Sequence, residues 1–347
     1  MVLALCPALS SIGGVQASGR LAWEAIVKAS TTRGAAARLV IYGERQTSPS
    51  RHVVTARSRL TAVVHALRTR GAAQTIVVWH LDLARLLPCV RRPATRVFIY
   101  LHGIEAFRRL TWLTRRALSP RDVFLSNSDY TWQRFVASNA EFAGARHVTV
   151  PLGLHMPASD IAPVARPTAA LMLGRLRSGE DYKGHREVIA AWDTVRERLP
   201  DSELWIAGGG DLRPTLEHVV RAHGLSCSVR FFGEVTDSVK DELLRRCRCL
   251  AMPSAGEGFG LVYVEAMRAG RPCLVSTLDA GREVVNPPEA GLAVDPRRSD
   301  EVADGLVRLL TPGPEWDRWS EAARARYASW YTREHFERRL MDALGLA

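Results

Sequence analysis

Two carboxylates, Glu257 and Glu265, are separated by seven residues in Ser254-Ala-Gly-Glu-Gly-Phe-Gly-Leu-Val-Tyr-Val-Glu265. Between them lie Gly258, Phe259, Gly260 and Leu261, ahead of an apolar run. The pattern reads as strand, glycine-rich loop, helix. Such a loop brings backbone N–H groups up to an anion at a helix start. Two acidic side chains would repel a bare phosphate, but they would accept hydrogen bonds from sugar and ribose hydroxyls. The ligand class that satisfies both is a sugar nucleotide.

Transfer from such a donor expels a nucleoside diphosphate, and the growing negative charge calls for preorganised cations. Arg175 beside Gly174 offers a planar fork for phosphate oxygens, and Lys183 before Gly184 a point charge. The glycines suit close approach of a ligand. Less eventful readings stand beside each of these. Arg175 and Lys183 would be solvated turn residues, Glu257 an exposed loop glutamate, and Glu265, expected in the first helical turn, a capping carboxylate. Neither H-E-x-x-H nor D-x-D occurs in the chain, so the expectation is no metal and no cofactor, with positive charge drawn from the protein.

The elements that would position these residues follow an alternation of short apolar runs and amphipathic stretches, which predicts an α/β protein with parallel sheets. Strands are expected at 2–5, 37–42, 75–79, 96–101, 123–127 and 147–151. After a proline-bearing linker at 156–167 they resume at 169–173, 204–207, 229–232, 250–253 and 272–277. Helices are expected at 18–29, 183–198, 212–223, 239–247 and 261–269, and again from Glu315 onward. The apolar start, Met1 to Leu9, reads as a first strand rather than a signal peptide. Apolar runs fall far short of the ~18 residues that mark a membrane-spanning helix. The 347 residues predict two domains, at 1–157 and 158–330, with a last helix at about 331–347 packing back on the first.

Charge is uneven. Residues 1–155 hold 21 Lys and Arg against 7 Asp and Glu, a net of +14, whereas the rest is net −3. The basic half is compatible with an anionic membrane face, a phosphorylated acceptor or nucleic acid. A nucleic-acid- or anionic-surface-binding protein without catalysis is therefore the alternative reading, but no nucleic-acid motif is visible, and none is expected as a partner. A dinucleotide enzyme is disfavoured because no G-x-G-x-x-G follows the first strand. The six scattered cysteines predict buried, reduced thiols and a cytoplasmic setting.

In their order along the chain, these motifs resemble the family-4 retaining glycosyltransferases. The resemblance runs most strongly from about Leu171 to Leu310. It is carried by Leu173-Gly-Arg-Leu176, Lys183-Gly-His185, Gly208-Gly-Gly-Asp211, Val229-Arg-Phe-Phe-Gly-Glu-Val235, the Glu257 to Glu265 segment, Gly281-Arg-Glu-Val-Val285 and Gly291-Leu-Ala-Val-Asp295. It implies a GT-B architecture of two Rossmann-like, doubly wound parallel-sheet domains facing a cleft. It also implies a metal-independent hexosyl transfer that keeps the anomeric configuration through same-face attack. Arg175 and Lys183 would meet the phosphates, Glu257 the donor sugar, Glu265 the ribose, and the backbone near Val235 the base, with a slight preference for UDP over GDP.

In the first half, Gly13 and Gly14 would approach the diphosphate or acceptor, and His102 would lie near the anomeric carbon. Glu105 and Asn127 are acceptor-side candidates. The acceptor would be a sugar or a lipid-linked molecule in envelope, exopolysaccharide or glycolipid assembly. On a helix through Phe107-Arg-Arg-Leu-Thr-Trp-Leu-Thr-Arg-Arg-Ala117, residues Arg108, Trp112, Arg115 and Arg116 would share a face suited to an anionic bilayer at the cytoplasmic side. The oligomeric state is not legible in the sequence.

Overall fold

The computed structural model describes residues 1–10, 13–44, 52–69, 72–158, 164 and 167–347. Most of the expected linker (159–163 and 165–166) and two residues of the first loop (11–12) lie outside the described residues. The chain divides into two compact units, Met1–His155 with Arg333–Ala347, and Met156–Thr332.

In the first unit the strands are β1 (Val2–Pro7), β2 (Ala37–Tyr42), β3 (Val53–Ala56), β4 (Thr75–Val78), β5 (Arg96–Leu101), β6 (Val123–Ser126) and β7 (His147–Thr149). They form one parallel sheet in the order β3-β2-β1-β4-β5-β6-β7. β1 and β4 are buried along nearly their whole length, which explains their continuous apolar runs: a parallel sheet is covered on both faces. The helices are α1 (Gly14–Thr32), α2 (Arg59–Thr69), α3 (Leu87–Val90), α4 (Trp112–Ala117) and α5 (Asp129–Ser138). α1 buries Ser18, Ala22, Ala25 and Ile26, one stripe at helical spacing. β3 was not expected. It is a four-residue edge strand, mostly half-buried, and lacks the apolar run that announces the others.

In the second unit β8 (Ala169–Leu173), β9 (Glu203–Ala207), β10 (Val229–Gly233), β11 (Cys249–Ala251), β12 (Cys273–Ser276) and β13 (Gly291–Val294) form a parallel sheet in the order β10-β9-β8-β11-β12-β13. The helices are α6 (His185–Arg198), α7 (Arg213–Ala222), α8 (Asp237–Arg246), α9 (Leu261–Arg268), α10 (Gly281–Val285), α11 (Ser299–Leu310) and α12 (Pro314–Trp330). α12 anchors through buried Trp316 and Trp319, whose indoles donate to the Arg248 and Pro288 carbonyls at 3.1 and 2.9 Å. The final helix, α13 (Arg333–Leu344), belongs to the first unit. There Phe336 meets Trp79 edge-on at 6.3 Å, and Arg333 pairs with Glu24 at 2.9 Å.

Both sheets carry the doubly wound order, which reverses between β1 and β4 and between β8 and β11. Ligands of such sheets bind at the carboxyl ends of the strands flanking the reversal. Three local expectations need correction. α6 begins at His185 rather than Lys183, because Gly184 takes a left-handed φ of 86° and breaks the chain there. Glu265 lies in the second turn of α9, so it does not cap the helix. Of the six free cysteines, Cys227 is exposed and Cys89 half-buried; only the other four are buried.

Candidate functional site

At the reversal of the second sheet, β8 ends at Leu173 and passes into Gly174-Arg175. This turn lies against the glycine-rich turn after β9. The Gly174 N–H donates to the Ala207 carbonyl at 3.0 Å, and the Leu176 N–H to Gly209 at 2.8 Å. Gly208 has φ 147°, and a Cβ there would come within 1.8 Å of the Gly174 carbonyl oxygen, so only glycine fits. The chain then makes one tight helical turn, Ser178–Lys183, which returns Lys183 over Gly174. Between the two cations stands Glu180. Its oxygens pair with Arg175 at 2.7 Å and Lys183 at 2.6 Å. Burial alone would push the Glu180 carboxyl up; the Lys183 hydrogen bond and charge, with Arg175, outweigh it and hold the carboxyl below its usual range. Lys183 is buried and Arg175 exposed, so a fixed point charge sits beside an adaptable fork.

β11, the other flank of the reversal, leads into the loop that carries Glu257. Gly184 packs on Pro253, and the Ala255 N–H donates to the Tyr182 carbonyl at 2.8 Å, so the Lys183 turn and this loop form one surface. Burial pushes the Glu257 carboxyl up; Lys183 opposes the shift, while Asp279 and Glu180 add to it. Phe259 is buried edge-on to Tyr331 at 5.9 Å and acts as the loop's anchor. Gly260, at a left-handed φ of 82°, opens α9, and no side chain caps that end. Glu265 points to α8, where the Lys240 ammonium meets it at 2.8 Å. Burial raises the Glu265 carboxyl, and Lys240 pulls it back. Val235 is half-buried in the turn that joins β10 to α8.

Arg175, Lys183 and Glu257 thus meet at the carboxyl edge of one sheet, and Glu265 lies one turn into the helix that follows. Sequence reasoning missed Glu180, Lys240 and Asp279. Glu180, three residues before Lys183, fits an i, i+3 ion pair. Asp279, two residues before a glycine, reads as an ordinary turn aspartate. Lys240 gives no local signal, since its partner is 25 residues away. Among the described residues no group of His, Cys, Asp and Glu is arranged to hold a metal ion.

In the first unit, His102 follows β5 and is buried. Its Nε2 lies 2.6 Å from the Trp79 carbonyl. A carbonyl can only accept, so Nε2 carries the hydrogen and Nδ1 remains an acceptor. Burial pushes the imidazole down to about 4, so the ring is neutral at physiological pH. The His102 carbonyl accepts from Asn127 Nδ2 at 2.5 Å, and the Asn127 Oδ1 is buried without a partner among the described residues. Glu105 accepts from the His102 and Gly103 N–H groups at 2.6 and 3.2 Å, so one of its oxygens is engaged in holding the turn. The Trp79 indole donates to the Val15 carbonyl at 3.1 Å and joins this turn to the start of α1. There Gly13 precedes Gly14, no side chain caps the helix, and its first turn has no acidic residue. His102, Asn127, Glu105 and the Gly13-Gly14 turn therefore form one connected group through Trp79.

The basic stretch departs from the expected long helix. Residues 102–111 are irregular and α4 has only six residues, so Arg108 shares no helix with Trp112, Arg115 and Arg116. Arg115 is held by Glu141 at 2.8 Å. Trp112 and Leu113 are 68% and 59% exposed, and Arg116 lies 5.6 Å over the Trp112 ring. No described helix is long and apolar enough to cross a membrane.

Comparison with known proteins accords with this geometry. Residues 161–326 match the family model for glycosyl transferases group 1. The phosphatidyl-myo-inositol mannosyltransferase of Mycobacterium leprae is 36% identical over 178 residues, which are 49% of this chain and 46% of that protein. The GDP-mannose-dependent alpha-(1-6)-phosphatidylinositol monomannoside mannosyltransferase of Mycobacterium tuberculosis is 30% identical over 251 residues, 66% of this chain and 64% of that protein. The chain thus spans about half to just under two thirds of these relatives. Among solved structures, sucrose-phosphate synthase from Thermosynechococcus elongatus superposes with a TM-score of 0.77 at 17% identity, over 98% of this chain and 97% of that one. The lipopolysaccharide outer core galactosyltransferase WaaB does so at 0.76 and 15% identity, over 99% of each chain. Residues 161–326 are thus similar to the glycosyl transferases group 1, and the fold that carries them is GT-B.

Proposed function

We propose that this protein is a retaining, metal-independent glycosyltransferase that moves mannose from GDP-mannose to an inositol-phospholipid type of acceptor. The observation that carries the reading is the meeting of Arg175, Lys183 and Glu257 at the β8–β11 reversal, with Glu265 beyond them on α9. The second unit takes the donor. Lys183 and Arg175 turn from Glu180 to the diphosphate and stabilise the charge that grows on it as the glycosidic bond breaks. Glu265 accepts from the ribose hydroxyls, Glu257 from the hexose, and the backbone near Val235 borders the base. The uncapped start of α9 offers N–H groups to the diphosphate.

The first unit takes the acceptor. The His102 carbonyl, fixed by Asn127, is the group we assign to the developing positive charge on the sugar. The Gly13-Gly14 turn and Glu105 border the acceptor.

The relatives at 30–36% identity are named for mannosyl transfer to phosphatidylinositol species, and one is named for GDP-mannose. That argues for guanosine over the uridine carrier preferred on sequence grounds. A lipid acceptor also gives the basic first half a purpose, with Trp112, Leu113 and Arg116 as its contact with an anionic bilayer at the cytoplasmic face.

The test is thermal stabilisation by GDP, UDP, ADP, GDP-mannose, UDP-glucose, NAD and an oligonucleotide, with chelator present. It is followed by transfer of radiolabelled mannose to vesicles containing phosphatidylinositol. A selective shift with GDP and its sugar, and label in the lipid, is expected. Stabilisation by NAD or an oligonucleotide alone would overturn the reading.

A further inference from the structure

The Asp279 side chain is completely buried. Its Oδ2 accepts from the Ser254 hydroxyl and from the Glu257 N–H, the latter at 3.0 Å. Its Oδ1 accepts from the Gly281 N–H at 2.9 Å, and the Gly256 N–H also donates to the carboxylate. In return the Glu257 carbonyl accepts from the Ala280 N–H at 3.2 Å. The turn after β12 and the loop after β11 are thus closed on each other through Glu257's own backbone.

We propose that Asp279 is the positioning residue for Glu257, holding its backbone so that the Glu257 carboxylate is presented to the donor sugar. The inference rests on the donor-site reading above. Ser254, Gly256, Glu257 and Gly281 all donate to Asp279, so the site demands an ion that only accepts. An asparagine of the same shape would turn its NH2 toward a hydroxyl or an N–H that already donates. There is no slack to absorb the change. A Cβ on Gly281 would come within 3.1 Å of both the Asp279 Oδ1 and the Tyr263 ring, whose hydroxyl is itself tied to the Met252 carbonyl at 2.7 Å. As a device for stability alone the arrangement is poor. A buried carboxylate beside Glu257 costs desolvation and like-charge repulsion, which a well-packed apolar residue would avoid. What the carboxylate supplies instead is a fixed path for the 254–257 loop. The ribose and diphosphate contacts assigned to Glu265, Arg175 and Lys183 are made by other side chains, and the Lys183 turn touches this loop through the Ala255 N–H and the Tyr182 carbonyl.

The test compares wild-type protein with Asp279→Asn, Glu257→Gln and the double variant by calorimetric titration of GDP and of GDP-mannose, together with transfer kinetics. Asp279→Asn should leave GDP affinity within about threefold, abolish the extra affinity contributed by the mannosyl group, and lower kcat about 10–100-fold. The double variant should be no worse than Glu257→Gln alone, because the two changes remove one function. A retained mannosyl increment, a parallel loss of GDP and GDP-mannose affinity, or additive losses would overturn the proposal. Should Asp279→Asn fail to fold, Ser254→Ala removes one donor only. It should weaken the mannosyl increment without changing GDP binding, and no change would overturn the proposal equally. Wild-type protein that binds neither probe would sink the donor-site reading, and this inference with it; a failure confined to the variants leaves that reading standing.

Discussion

At the scale of single residues, the candidate site consists of charges that neutralise one another until a ligand arrives. Glu180 holds Arg175 and Lys183, and Lys240 holds Glu265. Burial raises the Glu265 carboxyl and Lys240 opposes that rise, so in the proposed function Lys240 would keep Glu265 an acceptor-only group for the ribose hydroxyls. Lys240→Met should therefore weaken GDP binding about 3–10-fold at pH 8, and the loss should deepen as pH falls to 6 while wild type changes less. Equal pH profiles for the two proteins, read by titration calorimetry, would exclude this role. Lys183→Ala removes the buried point charge that the proposed function assigns to the diphosphate and should lower kcat/KM about 100–1,000-fold. Steady-state kinetics with a synthetic acceptor would check it; a change confined to KM would mean that Lys183 binds the ground state and transition state alike.

At the scale of elements, the site depends on turns more than on helices or strands. Gly208 lets the β9 turn press on the β8 turn, and Gly208→Ala should cost roughly 2–4 kcal/mol of stability, measurable by urea unfolding. Strands such as β2, β5 and β8 were legible to the residue because they are buried apolar runs. The Glu257 loop was legible because glycines and carboxylates in that order have few other uses. What stayed hidden is what depends on distant partners. The reach of Lys240 to Glu265 and of Asp279 to Ser254 spans 25 residues each, and no local pattern encodes it. The edge strand β3 lacks an apolar run, and the Arg/Trp periodicity overstated α4, whose helix starts only at its Thr111 cap. The surviving exposed pair there is apolar. Trp112→Ser with Leu113→Ser should accordingly release the protein from anionic vesicles in a flotation assay without altering GDP binding. Undiminished flotation would remove α4 from the membrane-contact proposal.

At the scale of the whole molecule, histidines buried in both units should make their share of the stability fall on acidification. His102 and His147 in the first unit and His185 in the second are each pushed down to about 4, burial being the leading cause. An imidazole in the unfolded chain titrates near 6.5, so between the two values the unfolded state binds more protons than the folded one. The sign follows: each group's contribution is complete above about 6.5 and is lost as pH falls through about 4, at up to ~1.4 kcal/mol per pH unit for each proton. The raised carboxylates Asp122, Glu257, Glu265 and Asp279 act in the opposite sense, since their folded forms hold protons more tightly than the unfolded chain does. The net slope of the wild type therefore mixes both kinds, and comparison with single variants separates them. His185 is the most informative position: it is buried, and neither ring nitrogen has a hydrogen-bond partner among the described residues, so burial and the Lys183 charge oppose charging it in place and the Asp181 charge offsets them only in part. Urea unfolding between pH 5 and pH 7.5 should give His185→Gln a shallower dependence on pH than wild type, by as much as one proton. His102→Gln should flatten the transition of the first unit in the same way. Slopes that coincide with wild type for both variants would mean that these imidazoles ionise in the folded protein as readily as in the unfolded chain.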